Sequence, residues 1–247
     1  GLVPLQAIKE AGLYYNQKQS GPVSSSDLDL IDLAVISLGL NDLSKFNSSK
    51  SIIEHALINE RKLDSDPISV FLNNLSKNTP TPGGGSVSAL MGALSLGLIS
   101  MTINLSNLKN ELKSGIRIQT LKEIYKNLIT EDSNSFKLVM KAFSMKKKTN
   151  SDKDLRNTAI DEAYKKAVYP PLKMLSHSNE VLDLINRFKD KINPNCHSDM
   201  GVALSAIKSC IEGSLLNIKI NLNEIKDKSF VDKTLDEIKL YKKNNKI

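Results

Sequence analysis

The stretch that decides the fold is Thr79-Pro80-Thr81-Pro82-Gly83-Gly84-Gly85-Ser86, followed at once by the run VSALMGALSLGLISMTINL at 87–105. The run carries no charge, and we expect it to form a helix over about 86–106. Ser86 stands where a helix would be capped, and the glycines before it leave backbone N–H groups bare at the positive end of the helix dipole. Such a turn can bind a carboxylate, a phosphate or a polar heterocycle, or it can simply connect two packed helices.

No charged residue occurs between Lys77 and Lys109, a length that could cross a bilayer. Serines, Thr102 and Asn104 dilute the apolar run, and a polar turn precedes it. We therefore interpret it as the central buried helix of a bundle and expect no membrane span.

Helical periodicity fills the rest of the chain, and alternating strand patterns are nearly absent. The expected helices lie at about 108–147, 151–170, 174–192, 198–225 and 229–243, with one more from Ser25 or Ser26 to Gly39. Pro170-Pro171 is expected to break or kink the helix that reaches it. The sequence thus predicts an all-α fold, an antiparallel helical bundle with a short helical segment at its N-terminus.

Composition excludes several classes of protein. The 247 residues are 40% hydrophobic and 25% charged, as in a globular protein. The net charge is +7, but the lysines are scattered except at 146–148 and aromatic residues make up only 5%, so we expect no nucleic-acid partner. Cys196 and Cys210 form no CxxC motif, and the three histidines are isolated. We expect no metal site and a reducing, cytoplasmic location.

Asp132 is the sharpest candidate for chemistry. It interrupts an apolar stripe made of Ile124, Leu128, Phe136, Val139 and Phe143. A carboxylate on such a face is costly unless it is functional or paired with a buried lysine or arginine. The neighbouring Glu131 can point to solvent.

A second polar stripe follows the helix that begins near Ser198. Small residues alternate there with three polar ones, Asp199, Asn217 and Asn221. Such a face suits a polar ligand or, equally, a close helix crossing. Asp199 can also serve as a helix-start residue, and the two asparagines can make interhelical or solvent-facing hydrogen bonds.

Several segments resemble the cyclodeaminase domain of the formiminotransferase–cyclodeaminase family. They are FLNNLSKNTPTPGGGSVSALMGALSLGLISM at 71–101, LITEDSNSF at 128–136, YPPLKM at 169–174, NPNCHSDMGVAL at 193–204 and NIKINLNEIKD at 217–227. The family's motif has an acidic residue at the position of Asp132. Its members often carry another acid two residues earlier, where this chain has Thr130.

The first 60 residues resemble the end of the family's formiminotransferase domain, through GLVPLQA at 1–7, LAVISLGLNDLSKFN at 33–47 and KSIIEHAL at 50–57. The predicted organisation is therefore a formiminotransferase-like remnant at 1–60, a charged linker at 61–65 and a cyclodeaminase-like domain at 66–247. Because the chain opens in the middle of the pattern, we expect the formiminotransferase groove and its catalytic histidine to be missing.

The resemblance implies conversion of 5-formiminotetrahydrofolate to 5,10-methenyltetrahydrofolate and ammonia, a step of histidine breakdown and one-carbon metabolism. It implies a folate substrate, with or without a polyglutamate tail, and no cofactor. Asp132 would then supply a proton, Pro82 and Gly83–Ser86 would hold the polar end of the folate, and Asp199, Asn217 and Asn221 would bind the pterin. The alternatives are a methenyltetrahydrofolate cyclohydrolase and a non-catalytic oligomerisation module. We also expect a homodimer or larger assembly, with the small-residue stripes Ala89–Asn104 and Asp199–Asn221 near its contacts.

Overall fold

The computed structural model describes residues 2–42, 44–56, 68–106 and 108–245. All regular secondary structure in the described part is helical, apart from an isolated bridge between Val3 and Ile52, which confirms the predicted class. Two short 3-10 turns precede the seventh and ninth helices. The α-helices are α1 (Leu5–Lys18), α2 (Asp27–Ser37), α3 (Ser48–Ser51), α4 (Ile53–Ala56), α5 (Ile68–Leu75), α6 (Gly84–Leu105), α7 (Leu112–Phe143), α8 (Asn150–Phe188), α9 (His197–Leu222) and α10 (Lys228–Asn245).

Helices α6 to α9 form an up-down-up-down bundle. Each packs against the next, and α9 closes the ring by packing against α6. The hydrogen bonds fix their directions, because the start of α6 meets the later part of α7 while Ser100, near its end, meets Gln119. Likewise, Arg117 and Glu131 of α7 pair with Glu180 and Lys173 of α8 in reverse order. Neighbouring helices are therefore antiparallel, as predicted.

The bundle core lies between α6 and its three neighbours. Tyr125 is fully buried there, and its hydroxyl donates to the carbonyl oxygen of Met174 at 2.7 Å. By length and composition α6 could cross a membrane, but 61% of its most apolar window is buried inside the protein. This packing is that of a bundle's core helix. The other buried side chains of the core include Ala89, Leu96, Ile99, Ile103, Leu121, Leu128, Val181, Phe188, Ile207 and Ile218.

The predicted break at Pro170-Pro171 is wrong, because α8 runs unbroken through both prolines for 39 residues. Pro171 has no N–H group, so the carbonyl of Ala167 loses its normal partner four residues later. The side-chain Nδ2 of Asn221 on α9 donates to that carbonyl at 3.0 Å. A polar side chain from the neighbouring helix thus satisfies the acceptor that the proline leaves unpaired.

The N-terminal segment forms a helical hairpin with its own small core. Ser26, one of the two serines predicted as the cap, caps α2 in a capping box with Asp29, and Gly39 follows the helix with a φ of +64°. The core of the hairpin consists of Ile8, Ile31, Ala34, Val35 and Ile52. The predicted linker at 61–65 lies outside the described residues.

A buried polar network joins this segment to the bundle. The backbone N–H of Ser24 donates to Oδ1 of Asn104 at 2.9 Å, and its hydroxyl accepts from Ser100 at 2.8 Å and from Gln119 at 2.9 Å. Ser100 and Asn104 belong to the small-residue stripe that the sequence placed near an oligomer contact. In the structure, that end of the stripe packs against Ser24 of the same chain.

Replacement of Asn221 by alanine should lower the free energy of unfolding by about 1–3 kcal/mol, because it leaves the Ala167 carbonyl buried without a donor. Denaturant unfolding monitored by circular dichroism measures this loss. The matched control is Asn217→Ala, four residues earlier on α9, where the half-buried amide bonds only to Gly213 of its own helix. The control should cost less than about 0.5 kcal/mol, and an equal loss in both variants would contradict the role given to Asn221.

Candidate functional site

The glycine turn leads directly into α6. The Thr81–Pro82 peptide bond is cis, and Pro82 is buried. Gly83 is the residue before the helix, and it has no side chain to cap the first turn. The helix begins at Gly84, two residues earlier than predicted, so Ser86 is its third residue and the expectation that it caps α6 is wrong.

Ser86 instead connects α6 to α7. It is fully buried, and its hydroxyl oxygen lies 2.9 Å from Oδ2 of Asp132, 2.9 Å from the hydroxyl of Ser133 and 3.1 Å from the carbonyl oxygen of Ile129. The sequence did not single out Ser133. Its position next to Asp132, in the segment EDSNSF, was the available signal.

Asp132 lies against the N-terminus of α6. Both the backbone N–H and the hydroxyl of Ser86 donate to its carboxylate, which lowers its pKa, but burial is the larger effect and the pKa is raised above the ordinary value for aspartate. No lysine or arginine among the described residues pairs with it. The alternative reading of Asp132 as an ion-pair partner therefore finds no support in the described part of the chain.

The neighbouring Glu131 points away, as expected. It is exposed and pairs with Lys173 of α8 at 2.9 Å. Thr130 stands where relatives often carry an acid. Its hydroxyl oxygen is buried and has no hydrogen-bond partner among the described residues.

Gly84 and Gly85 play different parts. A Cβ atom on Gly85 would overlap the carboxylate of Asp132, so only glycine allows this close approach. Gly84 is exposed, and a Cβ atom there would meet only the amide of Asn217, with Nδ2 at 3.6 Å and Oδ1 at 3.9 Å. The first turn of α6 is thus flanked by Asp132 on one side and by Asn217 on the other.

The side-chain amide of Asn217 makes a hydrogen bond through its nitrogen but not through its oxygen. Its Nδ2 donates to the carbonyl oxygen of Gly213 at 2.7 Å, whereas its Oδ1 accepts no hydrogen bond from the described residues. The exposed Gly84 at the start of α6, a protonatable carboxyl and an amide oxygen therefore lie together at one end of the bundle. This set can bind a polar, flat ligand and transfer a proton to it.

Two predicted site residues lie elsewhere. Asp199 is in the first turn of α9, and the 18 residues between it and Asn217 correspond to about 27 Å along the helix. Because α9 runs antiparallel to α6, Asp199 lies at the far end of the bundle from the glycine turn. Asn221 is buried and bonded to Ala167, as described above. The structure therefore does not bring these two residues into the same site within one chain.

The small-residue stripe Asp199–Asn221 of α9 forms a close helix crossing, which was one of the two alternatives that the sequence left open. Ser95 of α6 donates to the carbonyl oxygen of Ala203 at 2.8 Å, and a Cβ atom on Gly213 would overlap the hydroxyl of Ser88. Small residues on α9 are thus used to bring α6 close. Among the described residues, no group of three or more His, Cys, Asp or Glu side chains could hold a metal ion.

The contrast between the two glycines gives a test of this geometry. Gly85→Ala forces the Asp132 carboxylate off Ser86, a loss of hydrogen bonds to a charged group that contribute about 1.5–3 kcal/mol and that the better helix propensity of alanine only partly offsets. Gly84→Ala meets ordinary contacts. We expect the free energy of unfolding of Gly85→Ala to lie roughly 1–2 kcal/mol below that of Gly84→Ala in denaturant titrations. Equal stabilities would show that Asp132 does not rest on Gly85.

Comparison with known proteins shows which family the sequence matches. The model described as formiminotransferase-cyclodeaminase matches residues 67–240, and the model of the formiminotransferase domain matches residues 1–58. Formimidoyltransferase-cyclodeaminase from Rattus norvegicus is 28% identical over 249 residues, which cover 96% of this chain and 46% of that protein. Methenyltetrahydrofolate cyclohydrolase from Methylorubrum extorquens is 31% identical over 182 residues, 70% of this chain and 88% of that protein.

A solved structure shares the fold. The formiminotetrahydrofolate cyclodeaminase from Thermotoga maritima superimposes with a TM-score of 0.63 at 22% identity, covering 73% of this chain and 90% of that one. This chain spans about half the length of the bifunctional relatives that it matches. Since one family model covers well over half of its residues, the chain belongs to the formiminotransferase-cyclodeaminase family.

Proposed function

We propose that the chain is a formimidoyltetrahydrofolate cyclodeaminase, which converts 5-formiminotetrahydrofolate to 5,10-methenyltetrahydrofolate and ammonia. The observation that carries the proposal is the half-buried Asp132 carboxyl with its raised pKa, held against Gly85 and Ser86 in the first turn of α6 and next to the exposed Gly84. The family supplies the substrate class, because its relatives carry the names of folate enzymes.

The reaction needs few groups. The N10 nitrogen of the folate attacks the formimino carbon and a new C–N bond forms. The former imine nitrogen takes up the proton that N10 loses and a second proton from an acid, its bond to carbon breaks, and it leaves as ammonia, so that the positive charge stays on the methenyl bridge. A carboxyl can give the second proton when it is protonated, and burial, which raises the pKa of Asp132, favours the protonated form. The reaction also requires that the N10 nitrogen and the formimino group be held in a fixed relative position, which the glycine turn at the start of α6 would do. We therefore assign the proton to Asp132 and propose no cofactor.

The glycine turn and Asn217 would hold the folate. The exposed Gly84 allows a ligand to approach the bare N–H groups of the first turn, where the helix dipole favours a carbonyl oxygen or a negative charge. The free Oδ1 of Asn217 can accept from a pterin N–H group. Asp199 and Asn221 are left out of the proposed site, because the first lies at the far end of α9 and the second is bonded to Ala167.

A methenyltetrahydrofolate cyclohydrolase is the second candidate. It is favoured by the 31% identity to the Methylorubrum extorquens relative, which covers most of that protein. The same acid would then protonate a leaving ring nitrogen after water adds to the methenyl carbon. Ammonia release from the formimino substrate, compared with hydrolysis of the methenyl compound, separates the two reactions.

The setting of the reaction follows from the same proposal. Both cysteines are free and buried, which suits a reducing compartment, and we propose a cytoplasmic location in histidine breakdown and one-carbon metabolism. The net charge of +7 would attract the acidic tail of a polyglutamylated folate.

Asp132→Asn keeps the shape of the side chain and removes its proton. Folate binding should survive, while kcat should fall by about 10²–10⁴-fold. The formation of methenyltetrahydrofolate, followed by its absorbance, and calorimetric titration of a reduced folate measure the two effects. The rate of the unaltered chain should also decline as pH rises through the raised pKa of Asp132, since the acid must be protonated to act. Retention of more than roughly a tenth of the rate would mean that the proton comes from elsewhere.

We also propose a homodimer or larger assembly, which pairs through an exposed face of α6. Val87, Met91, Leu94, Leu98, Met101 and Leu105 recur at alternating spacings of four and three residues, the seam of a coiled coil. Three of them are substantially exposed, Leu94 to 49%, Met101 to 37% and Leu105 to 57%. This face is apolar, and in a two-fold interface it would pack against the same face of a second copy. The predicted small-residue stripe is not this face, because Ala89 and Ala93 are buried in the core.

Leu94→Lys tests the assembly. Sedimentation at micromolar concentration should give a mass above the 27.2 kDa of the monomer for the unaltered chain and a shift toward monomer for the variant. The matched control is Leu155→Lys on α8, where the leucine is exposed to 63%, and this variant should leave the mass unchanged. An unaltered chain that sediments only as a monomer would contradict the proposal.

A further inference from the structure

Ser86 has three polar neighbours and the capacity to serve all of them. A hydroxyl group donates one hydrogen bond and accepts two. The three neighbours of its oxygen are Oδ2 of Asp132, the hydroxyl of Ser133 and the carbonyl oxygen of Ile129, all within 3.1 Å. The Ile129 carbonyl can only accept, whereas Asp132 accepts when it is ionised and can donate when it is protonated.

These capacities fit both ionisation states of Asp132 with no movement of heavy atoms. When Asp132 is ionised, the Ser86 hydroxyl donates to its Oδ2 and accepts from Ser133. When Asp132 is protonated, its own O–H donates to Ser86, whose hydroxyl proton turns to the Ile129 carbonyl while Ser133 still donates. Only the direction of one O–H bond changes between the two states.

We propose that Ser86 is a positioning residue for proton transfer, whose hydroxyl turns between Asp132 and the Ile129 carbonyl and so keeps the Asp132 carboxyl in one place before and after it gives up its proton. The inference rests on the proposed function, in which Asp132 is the acid. One proton is transferred, from the Asp132 carboxyl to the departing nitrogen. The hydroxyl proton of Ser86 stays on Ser86 and turns from the Ile129 carbonyl to the new carboxylate.

The surroundings of Asp132 make the effect of Ser86 measurable. On α7 the neighbouring Glu131 is paired with Lys173 of α8, α6 carries no charged side chain, and the nearby group of α9 is the neutral Asn217 amide. The pKa of Asp132 is set by burial, which raises it, and by hydrogen bonds from Ser86, which lower it. Loss of the hydroxyl removes a donor to the ionised form, so the pKa should rise further.

The direct experiment follows the side-chain carboxyl carbon of Asp132 by ¹³C NMR across pH, with the signal assigned by its loss in Asp132→Asn. Ser86→Ala should move the titration midpoint upward by roughly one pH unit. Ser86→Cys keeps the same number of heavy atoms and a weaker donor, so its midpoint should lie between those of the serine and alanine proteins. The matched control is Ser95→Ala, which removes another fully buried hydroxyl of α6 that bonds to a backbone carbonyl and should not move the midpoint.

Kinetics give the second readout. Ser86→Ala should lower kcat with little change in KM, since the hydroxyl acts on the acid and not on the folate, and the decline of kcat with pH should begin at higher pH. A midpoint that Ser86→Ala leaves in place, or that Ser95→Ala moves as far, would overturn the inference. Because the titration needs no substrate, an inactive chain with a shifted midpoint would overturn the proposed reaction alone.

Discussion

The close packing of α6 against α7 and α9 is the constraint on which the rest of the structure depends. A Cβ atom on Gly92 would overlap the ring of Tyr125, and one on Gly213 would overlap the hydroxyl of Ser88. Missing side chains on both sides of α6 thus let three helices approach more closely than larger residues would allow. The same approach places the first turn of α6 within hydrogen-bond distance of Asp132.

Asp132 is subject to two opposing effects. Burial raises its pKa and favours the protonated acid, while the N–H and hydroxyl groups of Ser86 favour the carboxylate. Burial is the stronger of the two, and no cation among the described residues pairs with this carboxyl. An acid whose pKa is raised and whose ionised form has a hydrogen-bond donor at hand is suited to repeated proton transfer.

Buried polar side chains elsewhere hold irregular parts of the chain in place. Asn221 bonds to the carbonyl that Pro171 leaves without a donor, which lets α8 continue through a pair of prolines. Ser24 carries the N-terminal segment into the bundle through Ser100, Asn104 and Gln119. Each bond replaces a hydrogen bond that water would otherwise make, so its loss leaves a buried polar group unpaired.

The sequence by itself determined the helical class, the antiparallel bundle and the start of α2 after Ser25 or Ser26, and it singled out the glycine turn and Asp132 as candidates. Periodicity, caps and a charge on an apolar face are local signals. Only the tertiary structure decided that Ser86 bonds to Asp132 and that Asp199 lies about 27 Å from Asn217. It also decided that α8 continues through Pro171, because Asn221 donates to the carbonyl that this proline leaves unpaired. The polar stripe of α9 does not show which of its residues lies beside the first turn of α6. The direction and register of a helix in the bundle are set by contacts between residues far apart in the chain. The spacing of residues along one helix cannot predict these contacts.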